Sequence, residues 1–205
     1  MPVVFKESTF VSASSAGSFT LSTTVTFFAV GFSDGGADST NAANIGIGGN
    51  ALTKIADRDG GFQNSELWYT ASTFSLSSGA TTWSADISGA YMFMAFTGVS
   101  TLVISTNSTG HALNDLVSIA SNVSTTGELF VAAGTRLDGN AGWSGVDNGG
   151  SLKASFSAGM AYEISVSSGS HSVTYGVATS DTQTGLAAAV FGISLPFRSQ
   201  VFWMY

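Results

Sequence analysis

Between positions 19 and 27 apolar and polar residues alternate: Phe19, Leu21, Val25 and Phe27 share one side of an extended chain, with serine and threonine on the other. The run then becomes wholly apolar up to Phe32. A period of two predicts a half-buried strand, here a long one over 19–32. Shorter alternating or apolar runs, bounded by Gly, Asn, Asp or Ser, predict further strands at 51–56, 66–71, 81–85, 91–97, 102–106 and 116–120. In the second half of the chain the same pattern predicts strands at 129–135, 152–156, 160–166, 172–177 and 186–195. No segment carries the 3.6-residue period of a helix.

The strands come with a repeat. FSLSSGATTW at 74–83 returns as ISVSSGSHSV at 164–173, with Gly79 and Gly169 in the same slot. In the same order, VTFFAVGFSDGG (25–36) matches ELFVAAGTRLDG (128–139), DRDGG (57–61) matches VDNGG (146–150), and YMFMAF (91–96) matches LAAAVF (186–191). The serine-glycine segments read as tight hairpin turns, since glycine tolerates positive φ and serine can bond nearby backbone groups. Two halves, each too small to bury a sheet face alone, close on each other. The expected fold is an all-β, antiparallel, jelly-roll-like β-sandwich of two pseudo-repeated halves, about 10–100 and 115–195. They form one domain over 1–196, divided near 105–114 and followed by an aromatic tail at 197–205.

Composition supports a packed domain: 44% of the 205 residues are hydrophobic and only 9% charged, with 25 Gly and 2 Pro. Ser, Thr, Ala and Gly take places that charges hold in ordinary soluble domains, a surface suited to sheets and to close contact with neighbours. The net charge of −7 and six scattered Lys and Arg argue against binding nucleic acid, which needs clustered cations. Without cysteine, neither a disulfide nor a thiolate zinc site holds the fold. No apolar run is long enough to span a membrane as a helix. The opening MPVVFKESTF lacks the basic leader and apolar run of a secretory signal, so synthesis in a cytoplasm is expected.

Candidate chemistry is sparse. The acidic loops Asp34 to Asp38, Asp57 to Gly61, Asp138 to Asn140 and Asp147-Asn148 are rich in oxygen, yet none has the twelve-residue calcium-loop pattern, and solvated turns account for them. His111 and His171 stand without a nucleophile motif or metal-ligand spacing. No catalytic residue, metal ligand or cofactor is expected, and the chain reads as non-enzymatic. Trp68, beside Leu67 and Tyr69, could stack on a sugar, as could Trp143. The tail, with Phe197, Phe202, Trp203 and Tyr205 after Pro196, is costly to leave in water and is expected to dock on a neighbouring subunit, together with Val3 and Phe5 near the start.

The succession GIGGNALTKIADRDGG, SELWYTASTFSLSSGATTWSAD and YMFMAFTGVST resembles a repeated β-sandwich domain of tailed-bacteriophage virion proteins, across residues 10–195. The resemblance rests on a G-G-x-x-L-T stretch, an E-L-W-Y strand, a serine-glycine hairpin and an A-F-T-G-V strand end. It implies a non-enzymatic virion component, such as a capsid decoration or head or tail accessory protein. Its partners would be viral capsid or other virion proteins, in a homo-oligomer, by resemblance a trimer. Two alternatives stay open: a carbohydrate-binding module of a phage fibre or bacterial surface protein, and a shell-forming jelly-roll capsid protein.

Overall fold

Among the described residues every strand pairs antiparallel, and four layers of sheet stack around three apolar cores. The computed structural model describes residues 1–34, 42–59, 64–72, 74–111, 116–136, 142–144, 149–153, 158–165, 167–176 and 184–194. In the first half lie β1 (Val4–Leu21), β2 (Phe27–Asp34), β3 (Ile45–Ile47), β4 (Asn50–Ala51), β5 (Thr53–Asp59), β6 (Asn64–Tyr69) and β7 (Gly79–Thr97). In the second lie β8 (Val99–His111), β9 (Leu116–Val123), β10 (Leu129–Arg136), β11 (Gly142–Ser144), β12 (Gly149–Lys153), β13 (Ala158–Ile164), β14 (Gly169–Gly176) and β15 (Thr184–Ile193). Among the described residues there is no helix, and so none long and apolar enough to cross a membrane.

The second half splits into an inner sheet ordered β12-β13-β10-β15-β8 and an outer one ordered β11-β14-β9. The first half has the same order. Its inner strands run β5-β6-β2-β7-β1 and its outer strands β3-β7-β1, because β1 and β7 are long enough to serve both layers. Val4 to Val11 pairs with Tyr91 to Thr97, and Ala16 to Leu21 pairs with Gly79 to Ser84. Register shifts between Val11, Ser14 and Ala16 mark where the two strands change layer, as bulges do where a sheet bends.

Strand alternation then fills the cores. Phe27, Met94, Phe96, Leu129, Val131, Met160 and Phe191 point from the two inner sheets into the central core, with Phe27 edge-on to Phe191 at 4.9 Å. The opposite faces of the same strands, with Phe28, Val30, Phe93, Phe130, Ala132 and Ala188, form the outer cores beneath the outer sheets. One end of the central core is polar. There Ser33 Oγ shares a short hydrogen bond with Thr135 Oγ1, and Ser65 Oγ donates to the Ala133 carbonyl at 2.8 Å, tying the halves together.

Besides β7, which joins in one strand the segments 81–85 and 91–97 expected to be two, three expectations need correction. The run 19–32 is two strands, because the alternation continues through a turn at 22–26 that is polar at every position but Val25. Residues 105–111 are no boundary: they belong to β8, which pairs with β15, and the chain passes between halves at Gly98, while 112–114 lie outside the described residues. That glycine has φ +78°, and a Cβ on it would lie 2.0 Å from the Pro2 carbonyl oxygen. The third concerns the matched segments. The hairpins keep their faces, as do 91–96 and 186–191, but 25–36 against 128–139 is one residue out of register. Phe27 and Leu129 both face the central core, opposite Phe96 and Phe191 respectively. Gly31 abuts Met160 and Ala133 there, whereas Gly134 lies under Tyr175 in the outer core. A one-residue slip exchanges the faces of a strand. Moved by one, the match gains Ser22-Thr23-Thr24 against Ser124-Thr125-Thr126.

Candidate functional surfaces

The aromatic candidates near the start and on β6 are packed inside the chain. Val3 is 6% exposed in the central core. Phe5 stacks on Tyr162 at 4.8 Å and meets Phe96 edge-on at 5.6 Å. Val3 is thus buried and Phe5 half-buried against the central core. Trp68, 4% exposed, cannot stack on a sugar: its indole lies in the outer core and donates from Nε1 to Glu66 Oε2 at 2.6 Å. Trp143 stands opposite Tyr175 in the β11/β14 ladder, and its side chain lies outside the described residues. So do Phe197, Phe202, Trp203 and Tyr205, and most of the acidic loops.

Carboxylates that sequence reading passed over hold the turns. Glu7 accepts from the Ser22 N–H at 3.0 Å and from its hydroxyl at 3.2 Å. Glu128 accepts from the Ser124 N–H at 2.7 Å and from its hydroxyl. These are the first residues of the two Ser-Thr-Thr turns, so each turn is fastened by a carboxylate, Glu7 from β1 in the first half and Glu128 at the entry to β10 in the second. Asp86 accepts from the N–H groups of Ala43 and Asn44 at 3.0 and 3.1 Å. Partial burial pushes its pKa up, but the backbone N–H groups of Asn44 and Ala43 outweigh this and hold it below the usual range.

Glu66 is fully buried and receives Trp68 Nε1, Asn64 Nδ2 at 2.9 Å, the Ala42 N–H at 3.0 Å and Lys54 Nζ at 3.4 Å. Burial nevertheless leaves its carboxyl above the ordinary range, the bonds from Trp68, Asn64 and Lys54 only moderating the rise. Among the described residues no group of three or more His, Cys, Asp or Glu is placed to hold a metal ion.

The exposed cross-strand pairs on the outer sheets are small and uncharged. On the outer sheet of the first half the cross-strand pairs Ala16–Ser84, Ser18–Thr82 and Thr20–Ala80 are exposed. On that of the second half the pairs are Ser118–Thr174, Ala120–Ser172 and Asn122–Ser170, all exposed except the half-buried Thr174. Ser118 and Thr174 hydroxyls bond each other at 2.6 Å. The two arrays lie on opposite sides of the four-layer stack. Beside the first, a groove of about 550 Å³ opens along β3 and β4, lined by Asn44, Asn50, Thr82, Ser84 and Asp86 among others. The amide of Asn50 is turned onto the Gly48 carbonyl at 3.0 Å, and Trp83, though it lines the groove, is buried. Polar groups here brace the β3/β4 hairpin.

The arrangement is that of an all-β sandwich with two opposed small-residue faces. Compared with known proteins, the chain matches no family model, no curated sequence and no solved structure.

Proposed function

We propose that this chain is a non-enzymatic structural protein that binds an assembled protein shell, acting as a capsid decoration protein of a virion. The observation that carries the reading is the pair of outer sheets whose exposed cross-strand residues are small and uncharged. A sheet face in water is ordinarily sprinkled with charge, for solubility and against association. Here the exposed pairs are serine, threonine, asparagine and alanine, which let another surface approach closely with little desolvation of charge. The ordered carboxylates Glu7, Glu66, Asp86 and Glu128 are engaged in holding turns and loops, which suits a scaffold whose surface does the binding. Contacts spread over both faces would oppose separation of shell subunits by linkage.

Cryo-electron microscopy of the native assembly containing the chain tests this. Density on the outside of a shell, with one small-residue face against a shell subunit, is expected. Thr82→Lys with Ser84→Lys, and separately Ser170→Lys with Ser172→Lys, should leave the circular dichroism unchanged and reduce incorporation for at least one pair. Isolated chains with both faces in water, or full incorporation of both variants, would remove the proposal.

A further inference from the structure

The two serine-glycine hairpins share the positive φ of their glycines, and one of the side chains in which they differ is titratable. Gly79 and Gly169 open them with φ of 128° and 130°. Two residues on, the first half has Thr81, buried opposite Phe19, and the second has His171, opposite Ser121 on β9. The imidazole lies 2.7 Å from Glu163 Oε1 at Nδ1 and 2.9 Å from the Ser167 carbonyl at Nε2. Its side chain is 12% exposed and that of Glu163 6%. Both partners are acceptors. A neutral imidazole carries one N–H, so only the ring with both protons donates at both ends.

We propose that His171, Glu163 and the Ser167 carbonyl form a proton-operated latch that fastens the hairpin turn of the second half to β13. With both protons in place, the ring bridges the turn and the end of β13. When the proton at Nε2 leaves, a lone pair faces the Ser167 carbonyl and that bond is lost, while the bond to Glu163 persists. Ser121 offers the alternative. Among the described residues its buried hydroxyl has no hydrogen-bond partner, and it stands directly across the ladder from His171, where it can donate to the neutral ring. Two alternative partner sets for one ring give a two-state element of the kind pH switches use.

Among the described residues, Glu163 is the charged group bonded to the ring. Glu128, on the segment leading into β10, turns its carboxylate onto Ser124 and Thr125 instead. Tyr162, next to Glu163, packs toward the central core on the other face of β13. The first half, with Thr81 in the same place, has no proton to lose there, so this latch belongs to the second hairpin and not to the first. The inference stands apart from any shell binding.

Nuclear magnetic resonance of the intact chain tests it without a partner. The ring nitrogens of His171 should show two N–H groups at acid pH and one after titration. Amide exchange over residues 169–173, corrected for the chemical rate, should quicken about tenfold across that titration, as loss of one charged hydrogen bond would give. Residues 79–83 should not change. His171→Thr should remove the pH dependence from 169–173. Protection at 169–173 that is equal on both sides of the ring's titration, or a neutral ring under a fully protected hairpin, would overturn the latch. Should the variant fail to fold, the wild-type ring and exchange data decide alone.

Discussion

The two outer cores do the same job with different side chains. Beneath the outer sheet of the first half lie Phe28, Phe32, Trp68, Phe74, Trp83, Tyr91 and Phe93. In the second, the corresponding space holds Ile119, Phe130, Ala132, Ala161, Val173, Tyr175, Leu186, Ala188 and Val190. Position by position along β7 and β15, Tyr91, Phe93 and Ala95 stand where Leu186, Ala188 and Val190 do. Strand order is therefore indifferent to residue volume so long as the alternation and register are kept, in line with the tolerance of cores for repacking at constant patterning. Stability is not indifferent. The first half, with its aromatic core and with β1 and β7 unbroken across both layers, is expected to be the more resistant of the two.

The largest expected effect follows from volume. Phe93→Ala, which puts into the first half the residue that Ala188 already is in the second, should cost about 3–5 kcal/mol, measured by chemical denaturation. A loss below about 1 kcal/mol would mean that the aromatic core is not what sets the halves apart. Next come the hairpin glycines, where the halves should agree. Gly79→Ala and Gly169→Ala, each at a φ that side chains rarely adopt and with open space around the new Cβ, should each cost about 1–3 kcal/mol. Unequal losses would show that the neighbouring side chains, not the shared turn conformation, set the cost.

The smallest effect is local and acid-dependent. Asp86 has a folded pKa held below its unfolded value, so its contribution is present above the unfolded pKa and is lost as pH falls through the folded one. Amide exchange at Ala43 and Asn44 should quicken in that acid window, and Asp86→Asn should remove the pH dependence. The second half should show no counterpart.

Most of the strands were legible in the sequence because a half-buried strand alternates, and the hairpins because a serine-glycine turn has its own chemistry. The divisions between strands were less so. Residues 22–26 continue an alternation that the backbone breaks, and the single-residue passage at Gly98 gives no composition shift to read. The aromatic candidates misled for a physical reason: Trp68 and Phe5 are as apolar as any surface platform, and only the sheet packing decides that they turn inward. The turn-holding acids were hidden because Glu7 and Ser22, or Asp86 and Ala43, meet only through folding. The repeated Ser-Thr-Thr was the readable trace, concealed by an alignment one residue out of step.

Gly98 bears on how the two halves relate to one another. One residue reaches at most about 3.6 Å, so the chain leaves one inner sheet and enters the other with no slack. Met1 is bonded to the Ser194 carbonyl at 2.8 Å and Pro2 is pressed on Gly98, so a side chain added there would push against the backbone of residues 1–2. The passage works as a spacer of fixed length, and the central core between the inner sheets is built to that gap.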